Sequence, residues 1–213
     1  EHGTPWNKAV EMAFTYFFRD NQTLYFTVEN LVPFISGRSR IKIWDAGCAS
    51  GEEPYTFIIM LAEKLGKHIF KNVEIQATDI DVSNQFEKII QQGIYPWDKL
   101  QRIPTDLFQK YFKKINGGNQ YQVIDDLRSR IRYKRENLLS YNPTDNGFSL
   151  IICKNVLLHQ SSEQRIKILE MFHKSLLPNA FLTMEHTQKL PQELSDKFEP
   201  VVNNGQLYRK ISV

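Results

Sequence analysis

Between Ile41 and Gly66 the hydrophobic pattern changes period within one short stretch. Ile41, Ile43 and Trp44 form an apolar run ending at Asp45-Ala46-Gly47, the pattern of a strand entering a glycine turn. From Glu53 to Leu65 the run around Phe57-Ile58-Ile59-Met60-Leu61 reads as a buried helix, closed by Gly66. Val73 to Ala77 then alternates as a second strand, stopping at Thr78-Asp79-Ile80-Asp81, and a helix from near Ser83 to Gln92 ends at Gly93. Strand, turn and helix, twice over, predict an α/β fold with a parallel sheet and right-handed crossovers. Ligands of such sheets sit beyond the carboxyl ends of the strands.

The rest of the chain extends this plan. Phe148 to Cys153 is a compact apolar run followed by Lys154-Asn155 and a helix from about Ser162 to Leu177. Phe181 to Met184, Phe198 to Val202 and Gln206 to Ile211 read as a strand and a terminal hairpin turning at Asn203-Asn204-Gly205. Ahead of the first strand, residues 5 to 18, with Pro5, Trp6, Val10, Phe14 and Phe17, and Leu24 to Ile35 predict two helices. Tyr111 to Ile115, Gln120 to Ile124 and Arg128 to Tyr133 look like three short strands. In the third, Arg128, Arg130, Arg132 and Lys134 fall on one face at period two, either a solvated face or a docking face for an acidic partner.

Composition removes several function classes. The net charge of +3 is too slight to indicate nucleic acid as a partner. Two cysteines, Cys48 and Cys153, exclude a disulfide scaffold and fit a reducing compartment. The longest apolar stretch, around Phe57 to Ala62, is about a third of the roughly 18 residues of a membrane span, and the first twenty residues show no secretory pattern. A cytoplasmic protein without membrane insertion is expected. His159, His173 and His186 are far apart and no Cys-x-x-Cys occurs, so no metal is expected.

The loop Gly47-Cys48-Ala49-Ser50-Gly51 narrows the ligand. Glycines at both ends let the backbone turn sharply and approach a ligand closely. The spacing is not Gly-x-Gly-x-x-Gly, and Glu52-Glu53 at the following helix start would repel a diphosphate. Asp79, ending the second strand, is the expected partner of a ribose diol, yet it lies 32 residues after Gly47, against about 20 in dinucleotide binders. Carboxylates suit a ligand with ammonium, sulfonium and hydroxyl groups, which favours S-adenosylmethionine over NAD.

The block Trp44-Asp45-Ala46-Gly47-Cys48-Ala49-Ser50-Gly51-Glu52-Glu53-Pro54-Tyr55 resembles the CheR family of chemotaxis receptor methyltransferases. So do Thr15-Tyr16-Phe17-Phe18-Arg19-Asp20, Ala77-Thr78-Asp79-Ile80-Asp81, Gly93-Ile94-Tyr95, Tyr111-Phe112, Asn137-Leu138-Leu139 and Ile152-Cys153-Lys154-Asn155-Val156. The match runs in order from about residue 13 to the C-terminus. It implies a Rossmann-like methyltransferase domain over residues 38–213, with a small antiparallel β-subdomain at about 108–135, preceded by an N-terminal helical segment at 1–37. It also implies methylation of glutamate side chains on cytoplasmic helices of chemoreceptors, with S-adenosylmethionine converted to S-adenosylhomocysteine.

Carried over by position, the resemblance puts Thr15, Arg19, Glu53, Asp79, Asn137, Leu138, Cys153 and Lys154 in the cofactor site beside the Gly47 turn. Asp79 would hold the ribose and Asn137-Leu138 would border the adenine. Arg19 would hold the acceptor carboxylate and keep it ionised. Where the family usually has Arg-Asn-Val-x-x-Tyr-Phe, this chain has Lys154-Asn155-Val156-Leu157-Leu158-His159-Gln160, so His159 takes the place of a tyrosine that helps place the substrate. An imidazole changes charge near pH 6.5, which predicts a more pH-sensitive reaction.

Ala13 replaces an often polar residue, and Met184-Glu185-His186-Thr187-Gln188 replaces Gly-His-Ser-Glu. The family's N-terminal receptor-reading domain has no counterpart in these residues. With Lys154 and His159 at altered positions as well, the alternative expectation is a cofactor-binding regulatory module with weak or no transferase activity. The turn at Ile115-Asn116-Gly117-Gly118-Asn119 is shorter than in relatives that grip a receptor's C-terminal peptide, so no tight peptide binding is expected.

Overall fold

A computed structural model describes residues 15–115, 117–143, 145–185, 189–201 and 206–212. The strands are β1 (Ile41–Ala46), β2 (Val73–Asp79), β3 (Ile94–Pro96), β4 (Phe112–Ile115), β5 (Gln120–Val123), β6 (Ile131–Arg135), β7 (Phe148–Cys153), β8 (Leu176–Met184), β9 (Phe198–Pro200) and β10 (Leu207–Lys210). The main helices are α1 (Asn21–Ile35), α2 (Glu52–Lys64), α3 (Phe86–Gln92), α4 (Thr105–Tyr111) and α5 (Ser162–Ser175).

Seven strands form one sheet in the order β6-β2-β1-β7-β8-β10-β9. β6 through β8 run parallel, and the β9–β10 pair closes the edge antiparallel. β1 and β7 are buried at every residue, as central strands covered on both faces must be, which is why they read as runs rather than alternations. Trp44 packs against Phe148 and Phe172 on one side of the sheet, and its indole N–H is satisfied by Thr78 Oγ1 at 2.8 Å.

On α1, the buried stripe of Leu24, Val28, Leu31 and Ile35 turns inward, and Thr27 meets Thr183 of β8 at 2.9 Å. Each such buried aliphatic side chain stabilises the fold by about 1.5–3 kcal/mol. Most of the expected strands and helices from Leu24 onward are present, with α5 opened by a Ser161/Gln164 capping box.

The chain leaves β1 toward β2 and β6, and returns on the other side through β7 and β8. The order therefore reverses between β1 and β7, and the crevice beyond their carboxyl ends is the natural ligand position.

Two expectations are corrected. The third strand of the small sheet is β3, in the order β3-β5-β4, whereas Ile131–Arg135 pairs parallel with β2 at the edge of the main sheet. Asp125 and Asp126 open a helical turn, Asp125–Arg128, that breaks the supposed strand. The four-cation face consequently does not form. Arg128 pairs with Asp125, while Arg130 pairs with Asp126 at 2.9 Å and lies over Phe70. Arg132 and Lys134 remain exposed on β6, where charges discourage pairing with another strand.

The second correction is that residues 15–20 form an extended lead and a turn rather than the end of a helix; the remainder of the predicted 5–18 helix lies outside the described residues. So do Ala13, His186 to Gln188 and the hairpin turn at Asn203-Asn204-Gly205. Among the described residues no helix is long and apolar enough to cross a membrane.

Candidate functional site

The turn after β1 is held by its neighbours on β2. Gly47 and Cys48 donate their amides to the Thr78 carbonyl at 2.7 and 3.0 Å, and Ala49 donates to Asp79 Oδ2 at 3.0 Å. Asp79 Oδ1 accepts from the Asp81 amide at 2.9 Å, so both carboxylate oxygens are engaged yet keep lone pairs for a further donor. Gly47 has φ +101°, and a Cβ there would fall 2.2 Å from Val156 Cγ2. Only glycine satisfies both the dihedral and the space.

Beyond this turn opens a cavity of about 460 Å³, lined by Thr15, Tyr16, Arg19, Gly47, Glu53, Asp79, Lys154 and His159 among others. That volume is of the size that takes a small-molecule cofactor. A second cavity of about 150 Å³ is lined by Asn137 and Leu138 and shares Gly47, Asp79 and Val156 with the first. Asn137 Oδ1 accepts from the Leu139 amide at 3.0 Å, fixing the local turn. Cys153 lines neither cavity; it is buried in the Trp44 cluster, and burial pushes its thiol up.

Residues 15–20 form one wall. Phe17 is buried edge-on to Tyr95 and Phe112, at 5.0 and 5.6 Å between centroids. The Phe18 amide donates to Thr56 Oγ1 at 3.0 Å, and Arg19 Nη2 donates to Asn155 Oδ1 at 3.1 Å. Phe18 and Asp20 adopt left-handed backbone angles of 60° and 50°. Such angles cost non-glycine residues about 1–3 kcal/mol each and persist only where surrounding contacts impose them.

Charge is concentrated behind the cavity. The Lys154 ammonium, fully buried, lies 3.1 Å from Glu53 Oε2 and 3.4 Å from Asp20 Oδ2. Burial works against its charge, but Glu53 and Asp20 outweigh it and hold Lys154 above the ordinary lysine range. Asp45, at the end of β1, is fully buried with neither oxygen hydrogen-bonded. Burial, then the nearby Glu53 and Asp79, push its carboxyl well above the usual range despite Lys154. Glu185 is raised by burial as well, although the Asn155 amide donates to it at 3.1 Å.

A cleft at the sheet's switch point, with a glycine that admits no Cβ and carboxylates suited to ammonium, sulfonium and hydroxyl groups, fits S-adenosylmethionine. The domain described as CheR methyltransferase, SAM binding domain, matches residues 13–205. This chain belongs to the CheR methyltransferase family. A chemotaxis protein methyltransferase of Borreliella burgdorferi is 33% identical over 184 residues, covering 83% of this chain and 64% of that protein. Chemotaxis protein methyltransferase 2 of Vibrio cholerae is 32% identical over 185 residues, covering 83% and 62%. The chain thus spans a little under two thirds of the length of either relative. Among solved structures, a TehB-like SAM-dependent methyltransferase of Corynebacterium glutamicum covers 86% of this chain and 84% of its own at 14% identity, with a TM-score of 0.46. The cofactor of this CheR domain is S-adenosylmethionine.

Several residues of the CheR cavity were not singled out from sequence. Thr56 and Asn155 line it and anchor the 15–20 wall, and Val156 and Leu158 complete its rim. Asn155 and Val156 stand within the Lys154-Asn155-Val156 block just past β7, so their place at a strand's carboxyl end was the available signal. Thr56 lies one helical residue past the Glu52-Glu53-Pro54-Tyr55 block and carried no signal of its own. Among the described residues no group of three or more His, Cys, Asp or Glu is arranged to hold a metal ion.

Proposed function

We propose that this chain transfers methyl groups to glutamate side chains on cytoplasmic helices of chemoreceptors, acting in the cytoplasm as the methyltransferase domain over residues 38–213 with the 1–37 segment ahead of it. The observation that carries this reading is the position of Arg19, which reaches the cavity from the 15–20 wall and is oriented there by Asn155. A guanidinium beside a cofactor site suits an anionic acceptor, because charge-assisted hydrogen bonds hold a carboxylate and favour its ionised, nucleophilic form.

Thr15, Glu53, Asp79 and Lys154, with Asn137 and Leu138 in the adjoining cavity, would hold the cofactor. When bound, S-adenosylmethionine supplies a methyl group on a cationic sulfur, which a carboxylate oxygen accepts as the sulfur leaves as a neutral thioether. The protein's own part is alignment: Arg19 and His159 place the acceptor, and residues 15–20 form one wall of the cavity. The short β4–β5 turn supports the absence of tight binding to a receptor's C-terminal peptide.

The test is transfer of radiolabel from methyl-labelled S-adenosylmethionine to a receptor cytoplasmic fragment. Base-labile methyl ester on the fragment, lost in Arg19→Ala by far more than any weakening of S-adenosylhomocysteine binding accounts for, is the expected result. Binding of S-adenosylhomocysteine without any ester on the fragment would contradict the acceptor assignment.

A further inference from the structure

The turn after β1 has a second support that does not come from the main sheet. Tyr95 belongs to β3 of the small sheet and is fully buried, and its hydroxyl donates to the Ser50 carbonyl at 2.8 Å. The ring is clamped edge-on by Phe17 at 5.0 Å and Tyr55 at 5.9 Å, so the hydroxyl has little freedom to turn elsewhere. Next along the turn, Gly51 has φ +97°, and a Cβ there would lie 2.8 Å from Tyr95 Oη and 2.6 Å from Ile90 Cγ1. The backbone is thus drawn against the tyrosine at a point where no side chain fits.

The contact continues into α2. The Ser50 hydroxyl donates to Glu52 Oε2 at 2.7 Å, and Lys99, in the one-turn helix Trp97–Leu100 after β3, lies 3.9 Å from Glu52 Oε1. On the inner side Thr78 and Asp79 hold residues 47–49; on the outer side Tyr95 holds residue 50. A buried carbonyl that loses a hydroxyl donor must find another or stay unsatisfied, and the backbone carrying it shifts accordingly.

We propose that Tyr95 is a positioning residue for the cofactor turn: through the Ser50 carbonyl it sets the shape of residues 47–51, so the small sheet helps determine how tightly S-adenosylmethionine is held. Tyr95 itself touches no reacting group.

A matched control exists in the same core. Tyr55 is also fully buried, and its hydroxyl donates at 2.6 Å to the Ile90 carbonyl rather than to a carbonyl of the 47–51 turn. Tyr95→Phe and Tyr55→Phe each delete one buried hydroxyl-to-carbonyl bond, so a purely structural role predicts similar losses in both. Calorimetric titration with S-adenosylhomocysteine and thermal melting of the parent and both variants separate the cases. The expected result is a similar drop in Tm for both but about tenfold weaker binding in Tyr95→Phe alone, the consequence of one displaced hydrogen bond. Hydrogen exchange at the amides of residues 47–51 should speed up only in Tyr95→Phe. Unchanged affinity and exchange in Tyr95→Phe, or an equal loss of affinity in Tyr55→Phe, would overturn the proposal. Because only cofactor binding is read, that failure leaves the acceptor assignment untouched, and a failure of methyl transfer leaves Tyr95 untouched.

Discussion

The Lys154 ammonium lies 3.1 Å from Glu53 Oε2, so a single buried cation joins the segment after β7 to the helix after the β1 turn. Its second contact, 3.4 Å to Asp20, adds the 15–20 wall to the same junction. Lys154→Met would leave Glu53 and Asp45 without their compensating charge. Breaking a buried pair costs about 3–5 kcal/mol, reduced here to about 2–3 because Asp20 is partly exposed. Denaturant unfolding of Lys154→Met, Glu53→Gln and the double variant should show the double variant more stable than the sum of the single losses. Simple additivity would show that the pair does not interact.

Asp45 carries a pH signature. Its carboxyl is raised in the folded state, chiefly by burial, so the unfolded chain ionises first as pH rises. The protonated form's contribution is fully present below the unfolded pKa of about 3.9 and is lost as pH climbs through the raised folded value. Asp45→Asn cannot ionise and escapes that loss. The Tm of the variant minus that of the parent should therefore increase as pH rises from acid toward neutral. A difference that stays flat over this range would mean that Asp45 ionises as easily folded as unfolded.

His159 lines the cavity on the short helical turn Leu157–His159, beside the exposed Leu158. An imidazole titrates in a range where a phenol does not. The pH profile of methyl transfer should differ between the parent and His159→Tyr, while S-adenosylhomocysteine affinity stays the same in both. Superimposable profiles would remove His159 from the acceptor side.

Much of this was legible in the sequence because burial leaves a pattern. β7 is apolar at all but one position and β1 carries Ile41, Ile43 and Trp44, and the two-glycine turn between β1 and α2 can be read without any neighbour. β3 was not legible: a three-residue strand has no period, and Ile94-Tyr95 declared itself only by pairing with β5. The arginines from 128 to 134 alternate as a strand should, but Asp125 and Asp126 start a helical turn whose cost and gain depend on partners supplied by tertiary structure. Lys154 was found by position, yet its pairing with Asp20 joins residues 134 positions apart, a relation that no local pattern encodes. Tyr95 belongs to the same class: its value lies in a carbonyl 45 residues away.

The central claim is that the cavity beyond β1 and β7 is the S-adenosylmethionine site, organised around Asp79. Calorimetric titration of S-adenosylhomocysteine into the parent and into Asp79→Ala tests it most directly. Asp79 both accepts the Ala49 amide and faces the cavity, so its loss should loosen the turn and remove an acceptor for ligand hydroxyls. Micromolar binding by the parent and a loss of more than about tenfold in the variant are predicted. No binding by the parent, or equal binding by Asp79→Ala, would contradict the account.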